Sequence, residues 1–193
     1  MKRFILLLSA AIIAFGTVSA QKKAAKKAPK KAVQGETIVV EPSTDNVVTC
    51  LMVAYLTKHS ELAGASEMIE IANNPTPKQM AAIKDTCAFI TAGSNRLQAA
   101  IWTRSNGHTL VGFVYNLREV KFYDYNPETY TLTQDRAVGV PITSILGGDW
   151  TIIFDTDGYH CSVTRLTGYG SYFNFNGEKF VPAKHDLGQA PTW

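Results

Sequence analysis

The sequence predicts an α+β domain, with N-terminal helices packed on a curved antiparallel sheet of about eight strands arranged as four hairpins. Three observations carry that prediction. Apolar residues recur every three or four positions as far as residue 92, and every second position from residue 96 onward. Turn signals punctuate the second half at Asn106-Gly107, Asp157-Gly158 and Asn176-Gly177. Every strand connection is local, which argues for antiparallel pairing and against an alternating parallel sheet.

Ahead of the domain, residues 1–20 read as a signal peptide. Lys2 and Arg3 precede an apolar stretch from Phe4 to Phe15, and Val18-Ser19-Ala20 puts small residues where a signal peptidase cuts. An apolar core of about a dozen residues is too short for a permanent span. No cysteine beside the cut indicates a lipid anchor. The expectation is export by a bacterium, to the periplasm or beyond, with cleavage after Ala20 and no transmembrane segment left. Residues 21–34 follow as a Lys/Ala-rich disordered tether, because Pro29 and lysine repulsion favour an extended, solvated chain. It reads either as a spacer or as an arm weakly attracted to an anionic surface.

Residues 35–193 form a single domain in this reading. Its charge differs from that of the whole chain. Of 19 lysines and arginines, two lie in the leader and six in the tether, leaving eleven against 16 acidic residues. The folded part is therefore anionic and has no cationic stripe, which argues against nucleic acid as a partner.

Glu36–Val40 is a short apolar run ended by Pro42, consistent with a strand. Ser43, Thr44 and Asp45 offer caps for a helix reaching His59, with Val47, Leu51, Ala54 and Tyr55 on one face. A second helix over Glu61–Ala72 carries Leu62, Ala65, Met68, Ile69 and Ala72, and Asn73-Asn74-Pro75 breaks it. The third has Thr76 as cap, Pro77 at the first position and Gln79 closing a capping box. Met80, Ile83, Cys87 and Ile90 extend its apolar face to a stop at Gly93, so the helices occupy about 44–92.

Strands over about 96–182 follow. Arg96–Arg104 alternates Leu97, Ala99 and Ile101 with Gln98, Ala100 and Trp102, and Leu110–Leu117 returns after the Asn-Gly turn. Val120–Asn126 pairs with Tyr130–Gln134, Trp150–Asp155 with Tyr159–Leu166, and Ser171–Phe175 with Glu178–Val181. This half looks duplicated. KFYDYNPETYTL (121–132) and SYFNFNGEKFVP (171–182) match at an offset of fifty, aromatic on aromatic. Two copies suit one strongly curved sheet or a two-sheet sandwich, with helices on one face. Tyr123, Tyr125, Phe173 and Phe175 would then fill the core together. The alternative is a solvent-facing row of rings that stacks on sugars.

Three cysteines in an exported chain leave one over. Pairing Cys50 with Cys87 bridges two predicted helices; three buried thiols are the other reading. The four histidines, 59, 108, 160 and 185, lack metal-site spacing, and Asp155 and Asp157 lack the glutamate that completes a calcium loop. No residue set implies a metal or another cofactor. Cys50 and His160 resemble, in order along the chain, the nucleophile and base of papain-like peptidases and related amidases. That similarity implies hydrolysis of peptide or cell-wall amide bonds. However, Cys50 lies past the first helical turn, where little activation of a thiol remains.

The lysine-rich arm after a signal, followed by the aromatic hairpins KFYDYNPETYTL and SYFNFNGEKF, is similar to small exported proteins of unknown function from Bacteroidetes-type bacteria. The similarity implies export and assigns no functional residue. The leading expectation is a non-enzymatic envelope or secreted binding domain for a protein or glycan. A cysteine hydrolase is the competing class. Intact-mass measurement of the exported protein should find Gln21 at the N-terminus; a retained Met1 or a different cut would refute the leader.

Overall fold

A computed structural model describes residues 35–41, 46–140, 150–154, 160–165 and 170–183, without the side chains of 150, 160–165 and 170. The leader, the tether, the cap candidates Ser43, Thr44 and Asp45, and Asp155, Asp157 and His185 lie outside the described residues.

The chain is α+β with antiparallel sheets. In order come β1 (Thr37–Val39), α1 (Val47–Lys58), α2 (Ala65–Asn73), the single turn α3 (Pro77–Met80) and β2 (Cys87–Ala92). Next are β3 (Asn95–Thr103), β4 (Thr109–Tyr115), β5 (Glu119–Asn126) and β6 (Thr131–Gln134). The last four strands are β7 (Trp150–Phe154), β8 (His160–Arg165), β9 (Gly170–Phe175) and β10 (Phe180–Pro182). The strands divide between two sheets, which is the sandwich alternative and not the one curved sheet. One sheet has the order β1-β6-β5-β4-β3-β2 and the other β10-β9-β8-β7.

Local chemistry explains the helix ends. Asn46 caps α1, its Oδ1 accepting from the Thr49 N–H at 3.2 Å, while its amide donates to the Lys84 carbonyl. α2 starts later than expected because Gly64 takes a left-handed conformation (φ 77°) at its cap. The Thr76/Gln79 capping box forms as expected. The helix that it opens does not continue: residues 87–92 are strand β2, paired with β3 from Cys87↔Ala100 to Ala92↔Asn95. Met80, Ile83, Cys87 and Ile90 fit a helical stripe, yet Ala88, Ile90 and Ala92 also fit a strand face. Pairing with β3 decides between them.

The six-stranded sheet is buried on both faces. One face, with Leu97, Ala99, Val111, Phe113, Tyr123 and Leu132, packs under the helices against Leu51, Met52, Tyr55, Leu56 and Met68. Tyr55 stacks on Phe113 with ring centroids 4.2 Å apart. The other face, with Ala100, Trp102, Leu110 and Phe122, packs against Ile152, Phe154, Phe173 and Phe180 of the second sheet. Trp102 sits at its centre, edge-on to Phe154 (5.0 Å) and Phe180 (5.2 Å).

Polar groups fasten the second sheet. The buried Gln98 accepts from the Phe154 N–H at 2.9 Å and donates to the Phe154 carbonyl, as a neighbouring strand would. Ile152 N–H bonds the Leu117 carbonyl, and Ser105 N–H bonds the Gly177 carbonyl. The aromatic quartet is therefore split. Tyr123 and Tyr125 lie under the helices, whereas Phe173 and the half-buried Phe175 lie between the sheets. They do not point into one common core.

Gly112 makes the close approach to Phe154 feasible. A Cβ there would lie 2.7 Å from the Phe154 ring and 3.0 Å from that of Phe122. Gly112→Ala should thus cost about 1–3 kcal/mol by overpacking. Gly139→Ala, where a Cβ meets nothing within 4 Å, should change stability by less than about 0.5 kcal/mol. Urea melts of both variants check this, and equal effects would refute the packing account.

Candidate functional site

A groove among the described residues is shaped by β1, one face of α1 with its cap, and the chain around α3. Asn46, Thr49, Cys50, Val53, Ala54, Thr57 and Lys58 line it from α1, spaced three or four apart as one helical face requires. Thr37, Ile38 and Val39 form the opposite wall, and Pro75, Met80 and Ile83 close one side. The groove encloses about 1080 Å³.

Two features set this groove apart. First, β1 is an outer strand of its sheet. Val40 N–H bonds the Tyr130 carbonyl and Glu36 accepts from Gln134 N–H, so in an antiparallel ladder the N–H and C=O of Thr37 and Val39 turn the other way, toward an edge that no strand among the described residues pairs. Second, the rim is apolar and solvated: Val39 is 73 % exposed, Met80 58 % and the nearby Val47 48 %. An open strand edge with exposed apolar side chains is a pairing surface for extended chain.

Cys50 is a free, half-buried thiol on the groove wall. Its amide is engaged with the Asn46 carbonyl, which places it one full turn inside α1. His160 begins β8 in the second sheet, and the six-stranded sheet stands between that layer and the helices. The structure therefore does not bring Cys50 and His160 together. Nor does it join Cys50 to Cys87, which lies on a strand and faces the second sheet. Tyr123, Tyr125 and Phe173 are buried and offer no open face for a sugar.

Two polar clusters assemble from residues that the sequence analysis did not connect. In one, the buried His59 at the end of α1 reaches Glu61 through Nδ1 (3.1 Å), while Glu36 (3.3 Å), Tyr123 (3.4 Å) and Lys121 (3.4 Å) surround Nε2. Tyr123 O–H donates to Glu36 at 3.0 Å. Burial, then the Glu36 hydrogen bond, pushes the Tyr123 hydroxyl far above its usual range. A backbone hydrogen bond and the His59 ring hold Glu61 below the usual carboxylate value. With both ring nitrogens occupied, His59 acts as a tie between α1, β5 and the residue before β1.

In the second cluster, Arg104 bonds Asp124 and Asp135 at 2.6 Å each, and Asp124 also holds His108 Nδ1 at 2.7 Å. No sequence signal links positions 104, 108, 124 and 135, because sheet register alone aligns them. Among the described residues, no group of three or more His, Cys, Asp or Glu could hold a metal ion, and no helix is long and apolar enough to cross a membrane. No protein-family model, curated protein or solved structure matches this chain.

The Arg104 cluster yields a pH test. Burial raises Asp135, but the Arg104 hydrogen bond, with amides of Ala137 and Val138, outweighs it and leaves the net value low. A carboxyl depressed by folding contributes stability above its unfolded pKa, about 3.9, and loses it as pH falls through the folded value. Arg104→Gln should cost about 2 kcal/mol at pH 7 and flatten the acid limb of the stability profile. Parallel profiles for variant and wild type, measured by urea melts from pH 7 to 3, would refute this.

Proposed function

We propose that this is an exported, non-enzymatic binding domain whose groove beside β1 takes up an extended segment of a protein ligand. The observation that carries the reading is the outer edge of β1 beside the groove face of α1, where Val53 and Ala54 stand among Thr49, Thr57 and Lys58. Backbone groups of Thr37 and Val39 supply main-chain hydrogen bonds, and Val39, Val53 and Met80 supply apolar contacts for alternate ligand side chains. Export rests on the leader, and the absence of a cationic stripe agrees with a protein ligand.

The hydrolase reading lacks support in the geometry, because no described histidine meets Cys50 across the groove. Cys50 serves here as a wall residue. A duplicated scaffold also fits: β3–β6 and β7–β10 are both four-strand meanders. Their final turns share one hydrogen-bond pattern. Asn126 Oδ1 accepts from Glu128 and Thr129 N–H groups, and Asn176 Oδ1 from those of Glu178 and Lys179. In this reading the copies stack in the same sense, each turning the aromatic face of its third strand toward the layer before it.

Val39→Pro is a sharp test. Its N–H is not used within the sheet, so proline removes a docking donor without breaking a β1–β6 bond. Linear peptides selected from a displayed library should protect the Thr37 and Val39 amides from hydrogen exchange. Val39→Pro should weaken them about tenfold or more. Selected peptides that leave both amides unprotected, or that bind the variant equally well, would overturn the assignment.

A further inference from the structure

We propose that Cys87 and Cys161 form an intrachain disulfide that ties the six-stranded sheet to the four-stranded one. Cys87 opens β2, is 1 % exposed and belongs to the cluster between the sheets. Cys161 stands on β8 directly opposite Phe154 of β7 and opposite Phe173 of β9. Positions paired across antiparallel strands share a face. Phe154 and Phe173 are both in the inter-sheet cluster, so position 161 stands in the register row that these two residues flank.

Two details bring the row close. The Gln98 amide lies 3.5 Å from the Cys87 sulfur and donates to the Phe154 carbonyl, so a single amide group separates that sulfur from the residue paired with position 161. Sheets normally stack about 10 Å apart, whereas a disulfide needs Cα atoms within about 7 Å. The row running across the first sheet from Cys87 is Ala100 and Gly112. These small residues admit the Phe154 ring against the backbone, and the Phe154 backbone comes within hydrogen-bonding reach of the Gln98 side chain. Cys50, on α1 at the opposite face of the six-stranded sheet, is the cysteine left over.

Oxidation removes two protons and two electrons from the thiols and passes them to a disulfide-bearing oxidant, which is reduced to two thiols through a mixed-disulfide intermediate. Oxidation in the cell rests on the export proposed above; the choice of partners is a property of the folded chain.

The purified full chain is unfolded in urea, refolded in a glutathione/glutathione-disulfide buffer, alkylated and digested with trypsin without reduction. The expected product links the Asp85–Arg96 peptide to the Ala137–Arg165 peptide, with Cys50 recovered alkylated. Oxidation should raise the urea midpoint of the wild type and of Cys50→Ala, but not of Cys161→Ser. A Cys50 cross-link, or three alkylated cysteines, would overturn the proposal. The same map is made on protein recovered from cells of the source type. A bridge that forms in the buffer but is missing there supports the pairing and counts against export.

Discussion

The requirement that both faces of one sheet be covered governs this structure. β4 is buried along Leu110–Tyr115 without alternation, because Val111 and Phe113 lie under helices while Leu110 and Val114 lie under a second sheet. Such a strand is stable only when both layers are present. One cover comes from residues before it and the other from residues after it. The helices and the second meander therefore depend on each other through a sheet that neither contains, and the fold is expected to be cooperative along its whole length.

Covering a sheet with another sheet imposes a further demand, met here by polar groups. Hydrophobic contact between Trp102, Phe122, Phe154 and Phe180 sets affinity between the layers but not their register. Gln98 sets it, reading the backbone of Phe154 through both ends of its amide. A buried glutamine with unmet hydrogen bonds would cost more than it contributes, so a shifted second sheet is penalised twice. Gly112 belongs to the same device, since any side chain there would hold the sheets apart.

The groove follows from what the sheet leaves uncovered. β1 adds to the edge of the meander by three residues only; it buries Ile38, and as the outer strand it turns the backbone groups of Thr37 and Val39 away from β6. His59 ties one end of α1 to Glu36 beside β1, while Asn46 ties the other end to Lys84, ahead of β2 at the far edge of the sheet. Beside this outer strand, α1 leaves a groove whose walls mix apolar and polar side chains.

Much of this was legible in the chain. The switch from helices to strands, the capping box at Thr76, the Asn-Gly turns and the two faces of β3 are local signals, each written within a few neighbouring residues, although the switch falls before Cys87 and not at Gly93. The sequence by itself determined an α+β class, the helix-then-strand order, the hairpins and the anionic charge of the folded part. The tertiary structure decided what depends on partners distant in sequence. It made 87–92 a strand, because an apolar run of six satisfies either period until β3 offers a ladder. It separated Tyr123 and Tyr125 from Phe173 and Phe175, and Cys50 from Cys87, since the face of a sheet that meets a given layer is not encoded locally. It also assembled Glu36, His59, Lys121 and Tyr123, whose proximity arises only when β1, α1 and β5 are packed.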